Sequence, residues 1–235
     1  MGTTFQGYQR LLRINSAYRS LVDGSTETNP AFNSGYEALR GMAPSFRSVM
    51  QTSPSDAGQT SVITIERIST PLGPMLAGAT DDGLCLLEFT DRRMLEKQIA
   101  TITRLLKARV VAGSHNHIQT TYVQLQEYFA GTRKSFDIPL VLPGADFQNL
   151  VWESLRTVPY GEAWSYARQA AFLGRSAAVR PVAAAHGYHR ISIIVPCHRI
   201  IGSDGSLTGY GGGLARKCRL LELEHHYQPD FPYEL

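Results

Sequence analysis

This sequence contains few cysteines, no long apolar run and little excess of positive or negative charge. Its 235 residues include three cysteines, Cys85, Cys197 and Cys218, which are widely spaced and form no C-x-x-C pair. Such a set excludes a disulfide framework or a structural zinc site of ordinary spacing, and we expect neither a metal nor a cofactor. No apolar run approaches the roughly 18 residues that span a bilayer. The first residues also lack the charged segment followed by an apolar segment that is typical of a secretory signal. We therefore expect a soluble, intracellular protein with no membrane partner.

The composition is that of a folded protein. Apolar residues make up 43% and charged residues 18%, enough for one large core or two smaller ones. The net charge is only +3, but residues 165–219 hold eight lysines and arginines against a single acid, Asp204. A basic region of this kind is typical of a polyanion partner, and an ordinary solvated arginine-rich face is the alternative.

Changes in hydrophobic period divide the chain into four parts. Residues 1–50 have helical spacing and predict a short all-α segment, and the small, polar residues 51–61 predict a linker. Residues 62–140 predict an α+β unit, with hairpin strands at VITIERI and GLCLLEF, two helices, and a further strand at FDIPLVL. Residues 141–235 predict a mainly helical unit.

Cap and stop signals predict three short helices in this last unit. Asp146 is placed to cap the first helix, Ser165 the second and Ser176 the third, and Gly174 ends the second. The second and third helices have helix-turn-helix spacing, a pattern that also arises by chance.

The chemistry-bearing residues follow the apolar segment ISIIVP, which predicts a strand ending at Pro196. Cys197, His198 and Arg199 come directly after it. A free thiol titrates near pH 8.5, so a reactive cysteine needs a base or positive neighbours, which His198 and Arg199 could supply. Glu224, on the predicted final helix LARKCRLLELEHH, could orient the His198 ring. A buried structural cysteine beside a surface histidine is the alternative.

Three segments together carry a specific resemblance. FQNLVWESLRTVPYGEAWSYARQAAFLG, SAAVRPVAAA and IIVPCHRIIGSDGSLTGYGGGLARKCRLLELE closely resemble the O6-alkylguanine-DNA alkyltransferase family. The match covers residues 139–235, and residues 62–134 resemble the family's ribonuclease-H-like N-terminal half. The resemblance thus implies a ribonuclease-H-like subdomain followed by a helical, DNA-binding subdomain with a helix-turn-helix.

The resemblance also implies a role for individual residues. Cys197 matches the alkyl acceptor, His198 the water-linked base, Glu224 the carboxylate that orients it, and Tyr166 the tyrosine that assists the departing guanine. The residues implied to contact DNA are Arg180, which replaces the extruded base in the stack, Ser176, Ala183, Ala184, Arg190 and Arg199. The residues implied to bind the substrate are Tyr210, Gly211, Val195, Lys217 and His189.

The implied activity is single-use DNA repair. The alkyl group of O6-alkylguanine, and of O4-alkylthymine, passes irreversibly to Cys197, and the partner is double-stranded DNA, bound as a monomer through the minor groove with little sequence preference. The implied location is cytoplasmic or nucleoid-associated, and nuclear in a eukaryote. Three residues depart from the family pattern: His189 replaces an asparagine, Pro181 an alanine, and Gly211 the serine of some members.

Residues 1–50 resemble a different family. Their G-x-T-x-x-x-Y-x-x-x-x-R and SGYE segments are similar to half of the DNA-binding domain of AraC-type transcription regulators. Two other functions therefore stay open at this point. One is a transcription regulator with a vestigial repair domain, and the other is a cysteine hydrolase that uses Cys197, His198 and Glu224.

Overall fold

The computed structural model of the protein describes residues 61–226, which fall into two compact units. The first unit contains residues 61–69, 74–119 and 139–141, and the second contains residues 70–73, 120–138 and 142–226. The predicted all-α segment 1–50 and residues 51–60 of the predicted linker lie outside the described residues. The described chain is mixed α+β, as predicted.

A four-stranded sheet forms the centre of the first unit. Its strands are β1 (Ser61–Ile68), β2 (Met75–Thr80), β3 (Gly83–Phe89) and β4 (Ala108–Ala112), in the order β3-β2-β1-β4. Strands β1, β2 and β3 pair antiparallel through short turns, whereas β1 and β4 pair in parallel. The predicted hairpin strands are therefore present.

Helix α1 (Leu95–Leu106) connects β3 to β4. Its buried residues, which include Leu95, Ile99 and Ile102, join the strand residues Ile63 and Leu86 in one apolar core. The helix ends at Lys107, which has a left-handed backbone (φ 48°), and β4 begins at the next residue.

The strand predicted at FDIPLVL is wrong. Residues 136–142 make only one isolated parallel bridge, between Leu140 and Leu84. The backbone nevertheless bonds to β3 there, because Leu84 N–H donates to Pro139 O at 2.8 Å and Val141 N–H to Leu84 O at 2.9 Å. Pro139 has no N–H to donate, which limits this segment as a strand.

The second unit is mainly helical. Its helices are α2 (Asn116–Phe129, from Thr120 onward), α3 (Asp146–Leu155), α4 (Tyr166–Phe172), α5 (Val179–His186) and α6 (Leu214–His226). Two short 3₁₀ helices, Ser176–Ala178 and Cys197–Arg199, precede α5 and follow Pro196. Two-residue strands β5 (Trp164–Ser165) and β6 (Ile200–Ile201) pair in parallel.

Of the three helix caps predicted in this unit, one is present. Ser165 caps α4 as predicted, since its Oγ accepts the Arg168 N–H at 3.0 Å. The predicted caps at Asp146 and Ser176 are wrong: Ala145 precedes α3, with Asp146 as the first helical residue, and Ser176 begins a 3₁₀ turn that delays the start of α5.

The predicted strand ISIIVP is also wrong. Ile191 forms a bridge, but residues 192–195 make turns, and Ile193 has a φ of 71°. A β-branched residue seldom adopts that conformation. The apolar, β-branched composition of this segment therefore wrongly predicts a strand.

Gly83 is the glycine whose replacement should damage the fold most clearly. Its φ is 149°, and a Cβ there would lie 2.4 Å from Pro139 O. Gly83→Ala should therefore lose about 3 kcal/mol or more of the free energy of unfolding, by strain and collision together. At Gly174 (φ 67°) a Cβ meets nothing within 4 Å. Gly174→Ala, as the matched control, should lose only about 1 kcal/mol. Equal losses in denaturant unfolding would contradict this account.

Candidate active site around Cys197

The thiol of Cys197, the predicted alkyl acceptor, lies in a tight turn. Cys197 begins the 3₁₀ helix Cys197–Arg199, and its N–H donates to Val195 O at 2.8 Å. Val195 is fully buried, and Cys197 is only 3% exposed. The turn-rich backbone of residues 192–196 therefore holds Sγ rigidly inside the second unit.

The buried carboxylate of Glu224, on α6, lies at the centre of a hydrogen-bond network. Oε1 accepts from His198 Nε2 (2.9 Å), Arg199 Nη2 (3.0 Å) and Tyr128 OH (2.8 Å). Oε2 accepts from Arg199 Nε (2.9 Å) and the Gly161 N–H (3.2 Å). The structure brings together His198 and Glu224, as the resemblance implied, and adds three partners that sequence reasoning missed. Tyr128 lies 96 residues from Glu224, so no local signal could have found it.

Charge and burial set the protonation of this network. Burial alone raises the pKa of Glu224, but its interactions with His198 and Arg199 outweigh burial and hold that pKa well below its usual range. Burial lowers the pKa of His198, although Glu224 opposes this shift. Burial and the negative charge of Glu224 raise the pKa of Tyr128, which therefore stays a donor. Near pH 7, we infer an ionised Glu224 paired with Arg199 and a neutral His198.

His189 contacts the thiol directly. Its Nε2 lies 2.6 Å from Cys197 Sγ, and both side chains are buried. His198 turns its own Nε2 toward Glu224, and its buried Nδ1 has no hydrogen-bond partner among the described residues. The resemblance implied that His189 binds the substrate, whereas in the structure His189 lies against the sulfur.

Two further polar groups lie close enough to Cys197 for its charge to affect them. Burial raises the pKa of Tyr166, and a negative charge on Cys197 raises it further. Burial lowers the pKa of Lys217 to about 8, with a charge on Cys197 acting in the opposite direction. Lys217 Nζ donates to Thr208 O at 2.6 Å and to Ile200 O. Lys217 is thus fully buried and holds the backbone before and within the glycine-rich loop GSDGSLTGYGGG, residues 202–213.

The glycine-rich loop carries the two remaining residues that were predicted to bind the substrate. Tyr210 is half-buried, and its carbonyl accepts the Gly213 N–H at 3.0 Å, whereas Gly211 is exposed. At Gly209 (φ 53°), a Cβ would lie 3.0 Å from the Tyr166 hydroxyl. Only glycine fits this position comfortably, and the loop therefore passes close to Tyr166.

Helix α5 exposes the small residues predicted to approach DNA. Ala183 and Ala184 are exposed, as are Arg180 near the helix start and Ser176 before it, while Val182 packs inward. Pro181 is the third residue of α5, where an N–H has no partner within the helix. This proline therefore removes no intrahelical hydrogen bond.

The structure argues against predicted DNA contacts for Arg190 and Arg199, which are each only 6% exposed. Arg190 donates to Pro143 O at 2.7 Å and lies over the Trp152 ring. Arg199 donates to Val158 O as well as to Glu224. Part of the positive charge in the basic region 165–219 is therefore buried, because these two guanidinium groups bond to the protein itself.

Residues 61–226 contain neither a helix suited to a membrane nor a cluster of side chains suited to a metal ion. No helix within this range is both long and apolar enough to cross a bilayer. Nor does the range contain three or more histidine, cysteine or acidic side chains grouped to hold a metal ion.

The Glu224 network leads to a prediction about acid stability. Because the pKa of Glu224 is lower in the folded protein than in the unfolded chain, its contribution is present above about pH 4.3 and is lost as the pH falls through the folded value. Glu224→Gln should lose about 3–5 kcal/mol at neutral pH, because Arg199 is left buried without a counter-ion. It should also flatten the dependence of unfolding free energy on pH below about 4.3.

Glu153→Gln is the matched control for that measurement. Glu153 is exposed and pairs with Arg156 at 2.9 Å, so the variant should lose less than about 1 kcal/mol. Denaturant unfolding at a series of pH values measures both effects. A Glu224→Gln protein as stable as this control would show that the network contributes little.

Comparison with known proteins gives matches to both units. Residues 63–142 match the model described as "6-O-methylguanine DNA methyltransferase, ribonuclease-like domain". Residues 146–226 match the model described as "6-O-methylguanine DNA methyltransferase, DNA binding domain". Together the two models span most of the described chain.

Individual relatives match parts of the chain as well. A methylated-DNA–protein-cysteine methyltransferase of Mycobacterium tuberculosis is 54% identical over 106 residues, which cover 45% of this chain and 64% of that protein. The chain thus spans slightly less than two thirds of that relative.

Longer matches extend over both units. The Mycobacterium leprae protein of the same name is 38% identical over 165 residues, covering 70% of this chain and 94% of its own. A crystal structure of Mycobacterium tuberculosis OGT in complex with DNA superposes with a TM-score of 0.60 at 37% identity, covering 71% of this chain and 94% of that one. These matches show that the chain belongs to the methylated-DNA–protein-cysteine methyltransferase family.

Proposed function

We propose that this protein repairs DNA directly, by moving the alkyl group of O6-alkylguanine, and of O4-alkylthymine, to its own Cys197. The observation that carries the proposal is the surroundings of this buried thiol. His189 contacts Sγ, Tyr166 and Lys217 respond to its charge, and the next residue, His198, is fixed by Glu224. The relatives are named for transfer to a protein cysteine from methylated DNA. Each molecule acts once, because water does not hydrolyse the thioether that forms.

The chemical step is an in-line displacement. The Cys197 thiolate attacks the alkyl carbon, so that the S–C bond forms while the O6–C bond breaks and its electron pair passes to the guanine. His198, neutral and held through Nε2 by Glu224, has Nδ1 available to accept a proton through a water molecule. Arg199 balances the Glu224 charge, so this carboxylate can remain ionised in a buried position.

The guanine leaves as an anion unless a donor supports it. Tyr166 can supply that donor, because its raised pKa keeps the hydroxyl protonated near neutral pH. The glycine-rich loop runs beside this hydroxyl at Gly209, and Tyr210 follows directly. In this proposal the loop closes over the guanine, and Lys217 holds the loop through the Ile200 and Thr208 carbonyls.

Access to the lesion requires the base to leave the duplex. O6 lies within the helical stack, so extrusion costs a few kcal/mol of stacking and pairing. The exposed Ala183 and Ala184 let α5 approach the minor groove closely, and the exposed Arg180 can fill the space left by the base. Such contacts follow the shape and backbone of DNA, so binding by the monomer should depend little on sequence.

Cys197→Ser should abolish alkyl transfer from methylated duplex DNA. Cys218→Ser is the matched control and should retain full transfer. Burial and a hydrogen bond to Glu222 raise the pKa of Cys218, so its thiol stays protonated and unreactive. Transfer of a radiolabelled methyl group from DNA to protein measures both. Transfer that survives in the Cys197→Ser protein would overturn the assignment of the acceptor.

Arg180→Ala should slow repair of duplex DNA by about 10- to 100-fold, because losing the group that fills the stack removes about 1.4–2.7 kcal/mol from the transition state. The same variant should react with free O6-benzylguanine at nearly the normal rate, since no base has to be extruded. Arg175→Ala removes another exposed arginine and is the control for lost charge. Equal losses on both substrates would mean that Arg180 supports the fold or the chemistry instead.

A further inference from the structure

His189 lies against the sulfur of Cys197 but takes no part in the proposed chemical step. It follows the end of α5 and is 1% exposed, with Nε2 at 2.6 Å from Cys197 Sγ. An imidazole at a thiol can accept the S–H proton when both groups are neutral, and it can donate to the thiolate once the proton has moved. The contact therefore joins two groups that can exchange a proton directly.

We propose that His189 is the immediate proton acceptor of Cys197, so that the two side chains form a thiolate–imidazolium pair before any DNA is bound. This inference rests on the proposed function and assigns a further catalytic residue to it. In this scheme His189, and not His198, takes the thiol proton directly, whereas His198, which Glu224 holds, exchanges a proton only through water. The site contains two imidazoles with different tasks.

Atoms and charge balance in this scheme. The thiol proton moves to His189 Nε2, which leaves a thiolate on Cys197. The thiolate takes the alkyl carbon, and the guanine departs with the O6–C electron pair. The guanine needs one proton at N1 to become neutral, and the proton released by the thiol supplies it overall. No oxidant, reductant or other co-reactant is consumed.

The geometry separates the two histidines. His198 directs Nε2 to Glu224 at 2.9 Å, and this bond fixes its ring. His189 directs Nε2 to the sulfur instead. Tyr166 on α4 and Lys217 on α6 lie close enough to Cys197 for its charge to affect their pKa values. Two histidines complete the titratable groups nearby: His198 is the next residue in the 3₁₀ helix, and His186 on α5 is affected by the charge of Lys217.

These neighbours determine how the pair responds to pH. Lys217 favours the thiolate while it is protonated, and it loses its charge as the pH rises through about 8. Burial lowers the pKa of His186 to about 3, with Lys217 adding to the effect, so His186 stays neutral over the working range. A change in reactivity between pH 5 and pH 7.5 therefore reports on the His189–Cys197 pair and on His198.

The experiment compares pH–rate profiles for transfer from free O6-benzylguanine to the full chain. His189→Asn and His189→Gln keep a polar amide at this position but cannot take a proton. Both should move the midpoint of the profile at least one pH unit upward, toward the ordinary thiol value near 8.5, and should slow the reaction at pH 7 by about 10-fold or more. At high pH, where the thiolate forms unaided, their rates should approach that of the wild type.

His186→Gln is the matched control. His186 is another buried histidine three residues away, but its Nε2 pairs with Gln169 Oε1 at 2.7 Å. This variant should leave the midpoint unchanged, whatever its rate. Thermal unfolding of each variant shows whether it is folded, and two different amides at position 189 guard against one that is not.

A second readout needs no substrate. The ultraviolet absorbance of the thiolate, taken as the difference from the Cys197→Ser protein, should appear at lower pH in the wild type than in either His189 variant. If both His189 variants lower the rate equally at all pH values, and their thiolate absorbance appears at the same pH as in the wild type, His189 has a structural role and the inference is overturned. If the wild type shows the low-pH thiolate but transfers no alkyl group, the proposed function fails while the pair stands.

Discussion

The second unit depends on one buried ion pair, between Glu224 and Arg199. Taking a carboxylate and a guanidinium out of water costs several kcal/mol for each group, and the cost is offset only where geometry and further hydrogen bonds are good. Here the guanidinium donates twice to Glu224 and once to Val158 O, while Tyr128 and the Gly161 N–H also donate to the carboxylate. Segments that are far apart in sequence thus bond to the one carboxylate of Glu224. A change in any of them alters the hydrogen bonds of Glu224, which also holds His198.

That ion pair explains the state of the histidine beside the thiol. Because Arg199 already balances Glu224, the carboxylate can hold His198 by a hydrogen bond without requiring it to be protonated. Burial then keeps the ring neutral near pH 7, the form that can accept a proton. Lys217 has a parallel role, because its ammonium bonds to two backbone carbonyls and its pKa is affected by the charge on Cys197. Fixed positive groups favour a thiolate with little movement of the protein.

The sequence allowed correct prediction of elements whose local pattern is compatible with only one secondary structure. Alternating apolar residues predicted β1, and helical spacing predicted α6 as LARKCRLLELEHH, which matches Leu214–His226. It failed where tertiary contacts decide: ISIIVP forms turns that present Cys197, despite its β-branched composition. Likewise, no pattern marks Arg199 as the internal partner of Glu224 rather than a DNA contact. The position of His189 against the sulfur depends on the fold of residues 186–197, and spacing alone could not reveal it.

The central claim is that Cys197 is consumed by accepting one alkyl group from DNA. The most direct test is intact-mass and peptide mass spectrometry of the full chain after incubation with an excess of duplex DNA that contains O6-methylguanine. The account predicts a single methyl group, on the peptide that contains Cys197, with the mass unchanged by longer incubation and one guanine restored for each protein. Unmodified protein that continues to demethylate DNA, or a methyl group on another residue, would contradict it.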